Sequence, residues 1–236
     1  MRLNGRLKMI VDHIPQCTTL TDVGTDHAYI PIYAAKSGLC EKALAADLRA
    51  GPLKMASNNI IKYGLADRIE TRLGDGLNPV LLNECDVIVI SGMGGPLIRD
   101  ILSASMEKVK RARLLLLQPN NAVEALRMWL YENGFLIEKE HLTRDAGKLY
   151  ILFQTKWNNS PVIKDEFIYY IGEKIFEGNE LYLQSYLKKK LRELEVIIEG
   201  RSRSDPRKDR IYEEYDGMST DTCIFIRDRL IERLGK

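Results

Sequence analysis

The run Thr19-Leu20-Thr21-Asp22-Val23-Gly24-Thr25-Asp26-His27-Ala28 decides the architecture. Thr19 to Val23 reads as a short strand, Gly24 to His27 as a tight loop, and Ala28 to Ser37 as a helix stopped by Gly38. The same alternation continues outward from it. Lys42 to Ala46 is a second strand closing on Asp47. The next helix has Pro52 near its start, Leu53, Ala56, Ile60 and Ile61 on one apolar face, and Gly64 at its end; Ile69 to Leu73 is strand three. Val87 to Ile90 and Leu114 to Leu117 are unbroken apolar runs, the pattern of central parallel strands covered on both faces. An amphipathic stretch from Pro96 to Val109 lies between them. A helix capped by Asn121 then carries Leu126, Trp129 and Leu130 before Gly134. Phe135 to Leu142 and Leu149 to Trp157 are joined by a connection too short for a parallel crossover, so they form an antiparallel hairpin. The expected fold is α/β, a doubly wound and mostly parallel sheet ending in a hairpin.

Asn158-Asn159-Ser160-Pro161 is a polar, turn-forming linker beyond which the alternation stops, dividing the chain into domains 1–159 and 160–236. In the second, Leu183, Leu187, Leu191, Leu194 and Ile198 recur at helical spacing, as do Cys223, Ile226, Leu230 and Leu234. Two long helices broken between Gly200 and Pro206 make a helical, coiled-coil-like hairpin, entered through a shorter helix from Phe167 to Phe176, with Gly217 placed to interrupt the second arm. A 236-residue chain with 45% hydrophobic and 29% charged residues is neither disordered nor a small disulfide scaffold, and its net charge of +2 leaves any nucleic-acid surface to local patches. Cys17, Cys40, Cys85 and Cys223 are scattered without a C-x-x-C pair, so they read as reduced core thiols rather than disulfides or metal ligands. No signal sequence and no apolar span of bilayer length are present, so a cytoplasmic protein is expected, with no metal and no membrane partner.

In an open α/β sheet, ligands sit beyond the carboxyl ends of the strands. The first such loop brings Asp22, Gly24, Asp26 and His27 together, but it lacks the later glycines of G-x-G-x-x-G, and Asp26 would repel a pyrophosphate. A nicotinamide oxidoreductase is therefore disfavoured, and a cationic or uncharged ligand fits instead. Asp47, some twenty residues past the glycine loop, is placed to accept from both hydroxyls of a ribose. Gly74-Asp75-Gly76 offers a carboxylate to an exocyclic amine or is a plain turn. Ser91-Gly92-Met93-Gly94-Gly95 opens room for a flat ring, and Gln118-Pro119-Asn120-Asn121 supplies amides that read a base edge or cap the next helix. Asp26 itself is either a site residue or the cap of the helix that follows it.

Together, D-V-G-T-D-H-A-Y-I-P, the acidic end of strand two, G-D-G, I-S-G-M-G-G and L-Q-P-N resemble the bacterial tRNA (adenine(22)-N1)-methyltransferase family over about Leu3 to Trp157. That family lies within the S-adenosylmethionine-dependent Rossmann-like methyltransferases, whose seven-stranded sheet ends in an antiparallel hairpin. The D-x-G-x-G of the broad class is altered here to D-V-G-T-D-H, and the N-P-P-Y-type loop of exocyclic-amine methyltransferases is missing. The resemblance implies S-adenosyl-L-methionine held by Asp22, Gly24, Thr25, Asp47, Leu48, Asp75, Gly76, Ser91 and Gly92. It implies Asp26, with His27 beside it, as the group that orients the adenine and meets the positive charge developing on its ring. N1 lies on the Watson-Crick edge, so the base must be turned out into the pocket. Tyr29, Met93, Gly94, Gly95 and Asn120 would flank it. Lys188, Lys189, Lys190, Arg192, Arg201, Arg203, Arg207, Lys208 and Arg210, against five acidic residues from Lys188 to Arg210, give the helical hairpin a local +4 for tRNA phosphates, or else a solvated face. A monomer acting on tRNA is the expectation. The alternatives are an RNA-binding module with a degenerate methyltransferase domain, or a methyltransferase for another RNA base.

Overall fold

A computed structural model of the chain describes residues 1–202 and 218–235. They form two compact units, Met1–Ile163 and Lys164–Lys236. The first is a seven-stranded sheet built from β1 (Cys17–Val23), β2 (Cys40–Asp47), β3 (Ile69–Leu73), β4 (Val87–Met93), β5 (Leu114–Pro119), β6 (Phe135–Asp145) and β7 (Lys148–Trp157). Their order is β3-β2-β1-β4-β5-β7-β6, with β1 to β5 parallel and β7 antiparallel to both its neighbours. The expected sheet and its terminal hairpin are both present. The hairpin is tighter than the sequence suggested, turning on Ala146 and Gly147, both at positive φ. Two successive left-handed residues match the right-handed twist of the flanking strands.

Helices α1 (Gly5–Asp12), α2 (Tyr29–Lys36), α3 (Ala50–Lys62), α4 (Gly95–Ala104), α5 (Met106–Arg111) and α6 (Val123–Glu132) cover the sheet. Every residue of Val87–Ile90 and Leu114–Leu117 is buried, as strands covered on both sides require. The stretch Pro96 to Val109 divides into α4 and α5 at Ser105. In α3 the apolar face is Leu53, Ala56 and Ile60, whereas Ile61 falls one residue off the stripe and is exposed. Deep in the core, Arg127 of α6 and Glu140 of β6 form an ion pair at 2.7 Å with neither side chain exposed, and the guanidinium lies over Phe153.

Helix α6 is not capped by Asn121. Its N-cap is Ala122 in the left-handed region, with no side-chain cap bond. The Asn121 carbonyl instead accepts from Gly95 N–H at 3.0 Å, tying the turn after β4 to the turn after β5. The cysteines are also less scattered than the sequence implies. Cys40, Cys85 and Cys223 are buried, but Cys17 is half-buried and stands opposite Cys40 in the β1–β2 register.

The second unit contains α7 (Glu166–Ile171), a single 3-10 turn (Lys174–Phe176), α8 (Glu180–Ser202) and α9 (Thr220–Leu234). Asp165 caps α7 through Ile168 N–H at 2.8 Å, and Ser219 caps α9 through Thr222 N–H at 3.0 Å. Leu187 and Leu194 of α8 and Cys223, Ile226 and Leu230 of α9 are buried, and the two helices pack together. Arg201 near the end of α8 donates to Met218 O just before α9 begins, so the arms run back on each other as a hairpin. Among the described residues no helix is long and apolar enough to cross a membrane, and no group of three or more His, Cys, Asp or Glu is placed to hold a metal.

Candidate active site

The chain changes direction across the sheet between β1 and β4, and the crevice at their carboxyl ends is where an α/β sheet binds ligands. Gly24 opens it, with φ +78 and its N–H, like that of Thr25, donated to Ala46 O of β2. A side chain at Gly24 would be strained by that backbone and would collide with the methyl of Met93. Here lies a cavity of about 430 Å3, inside the range of roughly 300 to 1,000 Å3 usual for small-ligand sites. Gly24, Asp47, Leu48, Asp75, Gly76, Ser91 and Gly92, all expected to bind a cofactor, line it together with Met93. An adjoining cavity of about 190 Å3 is lined by Asp22, Thr25, His27 and Tyr29. Asp26, Gly24, Ser91 and Arg6 border both.

The carboxylates differ in their surroundings. Asp47 is buried at the end of β2, and its Oδ1 accepts from Arg49 N–H at 2.8 Å, with the Arg49 guanidinium 3.8 Å away. A carboxylate has about four acceptor positions, so Asp47 retains capacity for a ligand's hydroxyls. Asp75 is exposed on the turn after β3, where its carbonyl accepts from Asn78 N–H. Asp22 is 4% exposed, and burial pushes its carboxyl up to about 6; Thr25 and the Arg6 charge pull it back, and Asp47 pushes it further. Thr25 Oγ1 is itself buried without a well-formed hydrogen bond.

Asp26 does not cap α2, because that N-cap is Ala28 at φ +56, with no side-chain cap bond. Its carboxylate is instead mostly exposed, 3.3 Å from His27 Nε2. The His27 ring stacks on Tyr29 with centroids 5.2 Å apart, and the His27 carbonyl accepts from Asn59 of α3. The imidazole is thus presented on the loop rather than tied to a neighbouring backbone carbonyl.

Three residues expected to flank the substrate fall outside the cavities. Gly95 is buried, and a side chain there would strike the Ala122 carbonyl; one at Gly94 would lie 2.7 Å from Asn121 Oδ1. These glycines make room for the neighbouring loop, not for a ring. Asn120 donates to Gly92 O at 2.7 Å and holds β5 to the bulged end of β4. A site residue not anticipated from the sequence is Arg6, on α1. Its Nη1 donates to Gln118 Oε1 at 2.9 Å, an oxygen that also accepts from Gly92 N–H, while the Arg6 backbone N–H donates to Asp145. Arg6 sets a fixed cation between the two cavities. Leu3, Leu7, Ile10, Val11 and Ile14 recur at helical spacing, which is the signal by which α1 was readable.

On the helical unit, Lys188, Lys189 and Arg192 lie on α8, and all three are exposed. Lys190 and Arg201 are buried, Lys190 over the Tyr170 ring and Arg201 at the hairpin turn, so neither belongs to an exposed basic face. Arg203, Arg207, Lys208, Arg210 and Gly217 lie outside the described residues.

Residues 3–153 match the model of a methyltransferase domain. The tRNA (adenine(22)-N(1))-methyltransferase of Bacillus subtilis (strain 168) is 37% identical over 150 residues, covering 64% of this chain and 63% of that protein. The chain's matched stretch thus spans less than two thirds of that relative. The crystal structure of the B. subtilis m1A22 tRNA methyltransferase TrmK superposes with a TM-score of 0.83 at 27% identity over 99% of each chain. Streptococcus pneumoniae Sp1610 in complex with S-adenosyl-L-methionine gives a TM-score of 0.81 at 28% identity, covering 97% of this chain and 98% of that one. With the model matched across most of the sheet and the loops of its crevice, the chain belongs to the methyltransferase-domain family.

Proposed function

We propose that the protein is a tRNA methyltransferase that transfers the methyl group of S-adenosyl-L-methionine to N1 of adenine 22. The observation that carries the reading is the placement of the strand-end residues around one acidic crevice, in a chain similar to proteins of that named activity. The residues fit the cofactor. Asp47, with acceptor capacity left at a buried strand end, would hold the ribose hydroxyls. Asp75 would meet the adenine amine, Leu48 would pack on its ring, and Gly24 leaves the backbone open beside the methionine portion. Asp22, Asp26 and Asp47 make an environment suited to a cation, and Arg6 offers a positive charge suited to a carboxylate in the passage between the cavities. Bound there, the cofactor supplies an electrophilic methyl group on a positively charged sulfur.

The chain's own task is alignment and charge. Adenine N1 has an in-plane lone pair, so positioning matters more than a strong base, and good alignment is worth about 7 kcal/mol or more. Asp26, bordering both cavities, would orient the adenine amine and stabilise the ring's growing positive charge. His27 and Tyr29, stacked on one another, would form the wall against which the turned-out base rests. Lys188, Lys189 and Arg192 of the helical unit would contact tRNA phosphates. A single chain acting on tRNA is the proposed working unit.

The test is incubation with labelled S-adenosyl-L-methionine and unmodified tRNA, followed by nucleoside analysis. Label in 1-methyladenosine is expected, and it should vanish from a transcript carrying guanine at position 22. Label in another nucleoside would establish a different base target, and tRNA binding without label would establish a binding module.

A further inference from the structure

At the opposite ends of β1 and β2 from the crevice, Cys17 and Cys40 are direct partners in the parallel register. In-register residues on neighbouring strands have their side chains on one face and backbones about 4.8 Å apart, inside the Cα range of roughly 4.4 to 6.8 Å that a disulfide bridges. Both side chains pack on the same apolar cluster, so they do share a face. Cys40 is 2% exposed, whereas Cys17 is reachable from solvent and its Sγ lies 3.4 Å from Leu39 O. Arg68 brings its guanidinium to this spot, donating to Cys40 O at 2.6 Å and to Glu41 O at 3.1 Å. The contact with Cys17 and the Arg68 charge pull the Cys40 thiol below its ordinary range, while the same contact and burial push the Cys17 thiol up, so the proton between them sits on the Cys17 side. A thiolate next to a thiol and an arginine is the environment of a reactive pair.

We propose that Cys17 and Cys40 are a redox-active dithiol that closes to an intramolecular disulfide when the protein meets a small peroxide. Cys17 passes its proton to the neighbouring Cys40 thiolate, and the solvent-reachable Cys17 sulfur then attacks one peroxide oxygen, becoming a sulfenic acid as hydroxide leaves. The Cys40 sulfur then attacks the sulfenic sulfur, forming the S–S bond and expelling the second oxygen as water. Two thiols are oxidised and one peroxide is reduced to two waters. The clip joins β1 to β2 without touching Gly24 or Asp47 at their other ends. It therefore acts on stability, and methyl transfer is left nearly unchanged.

The experiment treats the full chain with hydrogen peroxide under native conditions, then blocks free thiols and maps peptides by mass. A Cys17–Cys40 linked peptide with two hydrogens lost is expected, with Cys85 and Cys223 remaining alkylatable, and dithiothreitol should reverse it. The melting temperature of the oxidised chain should rise by roughly 5 °C or more, as closing a loop of this length predicts. In Cys17→Ser, which alters a half-exposed position, the linkage and the rise should both disappear. Oxidation to sulfinic acid with no 17–40 linkage in the folded wild-type chain would overturn the proposal. So would a linkage that appears only after denaturation, or an equal rise in melting temperature for Cys17→Ser.

Discussion

The sharpest consequence of the site's electrostatics is a pH dependence set by Asp22. Burial raises its carboxyl from 3.8 to about 6, so the folded chain holds this proton more tightly than the unfolded one. The sign follows. The contribution to stability is complete below the unfolded value near 3.8 and is lost as pH rises through about 6, amounting to about 3 kcal/mol in all. A ligand that brings positive charge next to Asp22 offsets part of that cost and lowers the carboxyl again, so binding expels a proton. With a free-state value of about 6, only ~10% of the chains carry the charged form at pH 5 and ~90% at pH 7. Affinity for S-adenosyl-L-methionine should therefore rise ~10-fold from pH 5 to 7 and then level off. Titration calorimetry at pH 5, 6 and 7, in two buffers of different ionisation enthalpy, reads both the affinity and the released proton. Asp22→Asn removes the titrating group and should flatten the profile. An affinity independent of pH over this range in the wild-type chain, or an unchanged slope in Asp22→Asn, would refute the assignment of Asp22 to the cationic end of the ligand.

Four further outcomes follow from the same geometry. Asp47→Ala should leave the fold intact but weaken S-adenosyl-L-methionine by roughly tenfold to a hundredfold in calorimetry, the worth of hydrogen bonds to a charged acceptor. Asp26→Asn should change the melting temperature little, because Asp26 caps nothing, yet slow single-turnover methyl transfer by ~100-fold at saturating tRNA and cofactor; a rate within a fewfold of wild type would remove it from the reacting centre. Gly95→Ala forces a side chain onto the Ala122 carbonyl and should lower the urea midpoint by an amount equal to ~1 to 3 kcal/mol, whereas the same change at Gly51, which meets nothing, should not. Replacing Lys188, Lys189 and Arg192 together by Gln should weaken tRNA binding and reduce its salt slope by about one for each phosphate no longer neutralised, with cofactor affinity unchanged.

What the sequence revealed depended on how local each cause was. Buried parallel strands such as Val87–Ile90 need apolar side chains on both faces, so they appear as unbroken runs. The hairpin was legible because a short connection leaves no room for a crossover, and Asp47 because strand ends are where ligands sit. Apart from Ile61, which falls one residue off its helix stripe, the misreadings mostly involve a second chain segment meeting the first. Asn121 looks like a helix cap from its neighbours, but the helix begins one residue later, with Ala122 in the left-handed region at the N-cap and the Asn121 carbonyl tied to the turn after β4. Gly94 and Gly95 look like a ring-sized opening, but Asn121 and Ala122 occupy that space. Arg6 enters the site only because α1 packs on β6, more than a hundred residues away, and Cys17 faces Cys40 only through strand register.

The arrangement of charge also bears on the direction of the proposed reaction. The crevice holds Asp22 buried at the end of β1, Asp47 buried at the end of β2, and Asp26 exposed at the boundary of the two cavities. Arg6 and Arg49 offset them only in part, and Asp47 raises the carboxyl of Asp22. Such a site stabilises a bound cation, and methyl transfer moves positive charge from the cofactor's sulfur to the adenine ring. Buried carboxylates on the cofactor side alone would resist that movement, since they favour the charge where it begins. Asp26 borders both cavities, so in the proposed reaction its attraction would follow the charge as it shifts toward the base. Because the side chain is mostly exposed, water screens it until a base and its backbone cover the loop. On the proposed reading its full effect on the barrier would arise only when tRNA is seated, which would tie the rate of methyl transfer to the presence of the correct acceptor rather than to cofactor binding.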